Sequence, residues 1–208
     1  MPASPIKSFM LKVILWLPVC FAGWYYMKGV IGVPTFFLVD WVMAATLPEF
    51  IKDIEFQGHL LNVVLQFTPP SLPGIQVPQG QIAELVFSVN SLMYGYSIPL
   101  YTALVLATPD EERAKWIHWG IGFVLLVLAQ AWGVSFDILQ TLLFKLDANL
   151  SSQIGFSSFQ KELVVLGYQF GYLILPAVTP LVLWIGFHQK LLALLAPGMQ
   201  ARFNNRND

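Results

Sequence analysis

Side chains able to do chemistry are few in this sequence, and each has to be weighed by its neighbours. The single cysteine stands in Leu17-Pro18-Val19-Cys20-Phe21-Ala22. A nucleophilic thiol needs a nearby base or cation to favour the thiolate, and that segment holds no His or Arg. Cys20 is therefore expected to be a small buried hydrophobe, the usual state of a free cysteine. An intramembrane cysteine enzyme is the alternative, with its base supplied by another helix. The three histidines, His59, His118 and His188, show no i, i+4 spacing of the kind that holds a metal on a helix. No metal site and no cofactor are expected.

Carboxylates and amides inside apolar stretches form the second group. Asp40 lies within an apolar run, where an ionisable residue is a functional candidate by default. If that run lies at the membrane interface, Asp40 simply faces water; if not, it marks a small transporter or assembly subunit. Asp137 falls near the end of another run and has no assigned role. Gln130 and Gln169 are placed to hydrogen-bond between helices at similar depth. Gly167 and Gly171 have the small-xxx-small spacing that lets helices approach closely. Pro176 and Pro180 remove backbone donors and kink the helix that carries them.

The elements that must position these residues are set by composition. Of 208 residues 56% are hydrophobic and only 11% charged, against about a quarter charged in soluble domains. So little charge cannot cover a water-facing surface, and lipid is an expected partner. The net charge of −1 gives no basic field for nucleic acid. One cysteine excludes an internal disulfide. Five apolar stretches follow: Ser8–Met27, Val30–Leu47, Leu92–Pro109, Trp116–Ile138 and Leu163–Phe187. Each is near the ~20 residues that cross a bilayer core. The first lacks a small-x-small cleavage site after it and is expected to be a retained anchor.

Between the second and third stretches the pattern changes period. Leu61, Val63, Leu65 and Phe67 alternate, as do Ala83, Leu85, Phe87 and Val89, and Gln57-Gly58 is a turn signal. These residues predict a β-hairpin or three-stranded sheet within a β-rich loop, 49–90, interrupted by a Pro/Gly-rich irregular segment. Strand backbone cannot be left unpaired in lipid, so this loop is expected outside the bilayer. The whole chain, 1–208, reads as one membrane domain, with a surface tail over 188–208.

The side on which Lys and Arg collect chooses between topologies. If all five stretches cross, the two sides hold six and five of them; if the second is interfacial or re-entrant, seven face four. The second count fits the positive-inside rule better. A carboxylate near the centre of a span, as Asp40 would be, costs ~2.5–3.5 kcal/mol. The fold class expected is an all-α polytopic membrane protein with four full spans, one re-entrant or interfacial helix and an extracytoplasmic sheet, five spans being the alternative. Both termini are then cytoplasmic.

The most distinctive run is Ser88-Val89-Asn90-Ser91-Leu92-Met93-Tyr94-Gly95-Tyr96-Ser97-Ile98-Pro99-Leu100. A strand passes directly into a helix, with Asn90 or Ser91 placed to cap it. Tyr94 and Tyr96 are expected at the outer interface. Together with Asn90 they make a polar and aromatic surface where a partner could bind.

This run, taken with Leu15-Trp16-Leu17-Pro18-Val19-Cys20-Phe21-Ala22-Gly23-Trp24-Tyr25 and with Ala103-Leu104, resembles the exosortase H-associated membrane proteins, best in the first half of the chain. These are small proteins of the bacterial inner membrane. They accompany an exosortase, a membrane peptidase or transpeptidase that processes C-terminal sorting signals. The resemblance implies an accessory subunit with a membrane-protein partner. Exosortases resemble one another in an intramembrane Cys, Arg and His set. Here Arg113, Arg202 and Arg206 all lie outside the apolar stretches, so no catalytic role carries over.

Overall fold

A computed structural model of the protein describes residues 5–68, 82–109, 111–146 and 148–189. The Pro/Gly-rich segment over 69–81 and the tail from 190 onward lie outside these. Eight α-helices and three strands are described: α1 (Pro5–Tyr26), α2 (Lys28–Thr46), β1 (Ile51–Gln57), β2 (Leu60–Phe67), β3 (Ala83–Asn90), α3 (Leu92–Gly95), α4 (Ser97–Ala107), α5 (Glu112–Gln140), α6 (Ala148–Gln153), α7 (Ser158–Gln169) and α8 (Leu175–Phe187). Single π-helical turns extend α5 over Thr141–Lys145 and join α7 to α8 over Phe170–Ile174.

Four continuous helices are long and apolar enough to cross a membrane: Ile6–Tyr26, Lys28–Thr46, Glu112–Lys145 and Ser158–Phe187. The protein is mostly helical and membrane-embedded by this measure. The second apolar stretch is an unbroken helix of 19 residues. The third is the short one, with pieces of 4 and 11 residues separated at Tyr96. Pro18 and Pro180 sit inside helices without ending them, as membrane helices tolerate.

The chain divides into two compact units. The first comprises residues 1–26, 96–126 and 177–208. Within it α1 packs along α4, while Leu11, Ile14, Leu15 and Val19 are exposed, an apolar surface suited to lipid. Phe9 stacks on Trp184 at 5.2 Å, and the Trp184 indole donates to Thr108 Oγ1 at 2.9 Å. The Tyr101 hydroxyl donates to the His118 carbonyl at 2.8 Å.

The second unit, residues 27–95 and 127–176, carries the sheet. Its strands run antiparallel in the order β1-β2-β3. The hairpin turns at Gly58, whose φ of +68° suits a residue without Cβ. Leu61 stands opposite Phe56 and Val89, and Val63 opposite Ile54 and Phe87. The expected alternation is therefore observed: Ile54, Leu61, Val63, Leu65 and Val89 are buried, and Glu55, Glu84 and Ser88 are exposed. The buried face meets Val39 and Met43 of α2 and Ala131, Val134, Ile138 and Leu142 of the α5 helix and its π extension in one core. On α2, Gly32, Thr35, Val39 and Met43 line the buried side, and the Phe56 ring presses against Gly32.

On the open face Lys52 pairs with Glu84 across the strands. Hydrogen bonding to Glu84, then its charge, raises the Lys52 pKa above the ordinary 10.5. A raised pKa means stabilisation that is full below the ordinary value and lost as pH rises through the raised one. The melting temperatures of wild type and Glu84→Gln should thus differ by a small, constant amount from neutral pH to about 10, and converge above it. A series of thermal melts from pH 7 to 11.5 checks this.

Candidate functional site

The strand-to-helix junction is where buried polar groups gather in the second unit. Asn90 Oδ1 accepts from the Leu92 backbone N–H at 3.0 Å, starting α3. Ser91 Oγ donates to the His59 carbonyl at 2.9 Å, tying the junction to the hairpin. The Ser91 carbonyl in turn accepts from Gln130 Nε2 at 3.0 Å. Gln130 Oε1 accepts from Thr35 Oγ1 at 3.0 Å. One amide of α5, 3% exposed, therefore satisfies a group of the junction and a group of α2. Leaving either group buried and unpaired would cost about twice what a typical hydrogen bond contributes.

Directly beyond lies Tyr94. Its ring packs over Gly133 of α5, where any Cβ would overlap it, and meets the Tyr172 ring edge-on at 6.0 Å. Tyr172 stacks in parallel on Tyr168 at 5.8 Å. Gly171 comes so close to α5 that a Cβ there would stand 2.8 Å from Gly133 Cα. Asp137, one helical turn after Gly133, accepts from Lys145 Nζ at 3.3 Å. The Lys145 ammonium also lies 5.8 Å from the centroid of the Tyr168 ring. Asp137 is largely enclosed, with 12% of its side chain exposed, while Lys145 is half open at 51%. The buried Tyr94 hydroxyl adjoins Asp137, close enough to interact with its carboxylate but without a well-aligned hydrogen bond.

Both π-helical turns take part in this cluster. The first carries Lys145 and the second Tyr172. Each rotates the residues after it relative to a plain α-helix, a feature often found at functional sites.

The profile of one protein family, described as exosortase H-associated membrane protein, matches residues 3–191. The chain belongs to this family. No curated protein and no solved structure matches it. The resemblance seen in the first half thus extends through the last helix, and the chain is an exosortase-associated membrane protein.

For this exosortase H-associated protein the structure sorts the residues singled out from sequence. Asn90 and Gln130 are brought together around Ser91. Tyr94, expected at a surface, is 1% exposed: the slot left by Gly133 takes its ring into the core. Tyr96 is half-buried at the break between α3 and α4. Gln169 is exposed, so the expected pairing of Gln130 with Gln169 gives way to the Thr35 and Ser91 contacts. It borders an open recess of about 450 Å³ with Phe144, Val165 and Leu166. Asp40 is half-buried on α2. Cys20 is half-buried on α1 and belongs to no metal-ligating cluster among the described residues.

Two groupings escaped the sequence reading. Asp137, Lys145, Tyr168 and Tyr172 converge in the second unit. The spacing of Asp137 and Lys145, about two turns, together with Tyr168 and Tyr172 at i, i+4, was the signal available. In the first unit His118 and His188, far apart in sequence, bring their rings to 5.3 Å, with His118 stacked on Phe187 at 5.0 Å.

Proposed function

We propose that this protein is a non-catalytic accessory subunit of the bacterial inner membrane, partnering an exosortase-type peptidase or transpeptidase that sorts proteins. The family match over residues 3–191 carries this reading. The chemistry of the second unit supports it: Gln130, Thr35 and Ser91 bind one another, and Asp137 binds Lys145. Such groups hold a shape rather than attack a substrate.

The topology we propose has four crossings and both termini in the cytoplasm, with the sheet outside. Lys52, Asp53, Glu55 and Glu84 are exposed on its strands, and its outer strands need hydrogen-bonding partners that lipid lacks. The helix Glu112–Lys145 has 34 residues, about 51 Å at 1.5 Å per residue. The hydrocarbon core takes about 30 Å of that. Its far third, from Ala131 to Leu142, packs on the sheet and so belongs at or beyond the outer edge. Val39 and Met43 of α2 share that core, which favours an interfacial α2. The crossings are then α1, α3 with α4, the first part of α5, and α8. The second of these, α3 with α4, is short and fits a locally thinned bilayer.

The functional reading is tested by affinity purification of the tagged protein from its native membrane in mild detergent. A membrane peptidase should co-purify in near-stoichiometric amount, and Cys20→Ala should leave the yield of that complex within about 20% of wild type, since a half-buried apolar site tolerates the change. Recovery of the protein alone, or loss of function with Cys20→Ala in a folded protein, contradicts it.

A further inference from the structure

The Asp137 cluster has acceptor and donor capacity that its own residues leave unused. An ionised carboxylate offers about four acceptor positions, and Asp137 accepts from Lys145 at 3.3 Å with the Tyr94 hydroxyl beside it. The hydroxyl of Tyr94, a residue 1% exposed, adjoins the same carboxylate without forming a well-aligned hydrogen bond to it. Lys145 reaches in from a half-open position, and its flexible stem lets the ammonium swing outward. A cation at its present place has a carboxylate on one side and the Tyr168 ring on the other, two features that attract an ammonium group.

We propose that this cluster docks the headgroup of a phospholipid bearing a primary amine, with the lipid ammonium on Asp137 against the Tyr168 ring and the lipid phosphate on the displaced Lys145. Charge balance selects this ligand. Asp137 and Lys145 sum to zero, so a zwitterion replaces their mutual pair without leaving either charge alone. A choline headgroup has no N–H to give the carboxylate, and a glycerol headgroup has no cation. Tyr94 contributes its hydroxyl to the enclosed polar contacts. The inference rests on the topology proposed above, which sets this end of the α5 helix at the outer headgroup level.

The test uses the purified full-length protein exchanged into nanodiscs of equal phosphatidylethanolamine, phosphatidylcholine and phosphatidylglycerol, with retained lipids counted by native mass spectrometry. Wild type should retain phosphatidylethanolamine on the order of tenfold over phosphatidylcholine, and Asp137→Asn and Lys145→Met should each remove most of that preference. Successive N-methylation of the headgroup should lower retention stepwise on the wild-type protein, a measurement that needs no variant to fold. Equal retention of the ethanolamine and choline lipids by wild type overturns the proposal, as does a preference untouched in folded Asp137→Asn and Lys145→Met proteins. Phe144→Cys, in a Cys20→Ala background, reports separately on topology. Labelling from the outer side supports the setting assumed here, while labelling from the cytoplasm overturns the topology, whatever the lipid preference.

Discussion

Gly133→Ala is expected to destabilise the protein by about 1–3 kcal/mol, and Gly133→Leu by more, because the Tyr94 ring already fills the place a Cβ would take. A Cβ at Gly133 runs into the Tyr94 ring, and Gly171 approaches the same backbone from the neighbouring helix, where its own Cβ would stand 2.8 Å from Gly133 Cα. The ring has little freedom to give, because Tyr94 is held against Tyr172. Gly120, on the same helix, has nothing within 4 Å of its Cβ direction. Gly120→Ala should therefore be neutral or stabilising by up to about 1 kcal/mol, through helix propensity alone. Thermal unfolding in mild detergent separates the two. Equal effects at both glycines would mean that α5 and the Tyr94 ring are not packed as described.

Gln130→Ala should cost about 1–3 kcal/mol by leaving the Ser91 carbonyl and the Thr35 hydroxyl buried without partners. The residue is 3% exposed and Thr35 is fully buried, so water cannot take over cheaply. Thr35→Val should recover part of the loss, since it removes one orphaned group. A double-mutant cycle between positions 35 and 130 is expected to give a coupling of at least about 0.5 kcal/mol. Gln169→Ala, on an exposed helix face, should stay within about 0.5 kcal/mol of wild type. Similar losses at 130 and 169 would contradict the network.

What could be read from sequence was what repeats locally. The period-two runs at 61–67 and 83–89 anticipated both strands, the buried face and the turn at Gly58, because a pleated strand forces side chains to alternate. The helices followed from the length of the apolar stretches. Which stretch would be short did not follow. Asp40 drew attention to the second, yet it is the third that breaks, at Tyr96, where the chain turns from strand into helix.

The candidate site was much less legible. Tyr94 reads as an interfacial aromatic, and it is Gly133, on a helix distant in sequence, that leaves the slot for its ring. Gln130 meets Ser91 across 39 residues of sequence and Thr35 across 95. No local pattern encodes such a pairing. Lys145 reaches Asp137 by way of a π-helical turn, which changes the angular position of every later residue and leaves no mark in hydrophobic period.

The most direct test of the account is labelling of single cysteines from either side of the membrane, made possible by a Cys20→Ala background that leaves no other thiol. Glu55→Cys, on the exposed face of β1, should react with an impermeant reagent in intact cells or spheroplasts. Arg113→Cys, at the start of α5, should react only after the membrane is opened. That result would place the sheet outside the bilayer and the loop before α5 in the cytoplasm, as four crossings require. Labelling of both positions from the same side would contradict it.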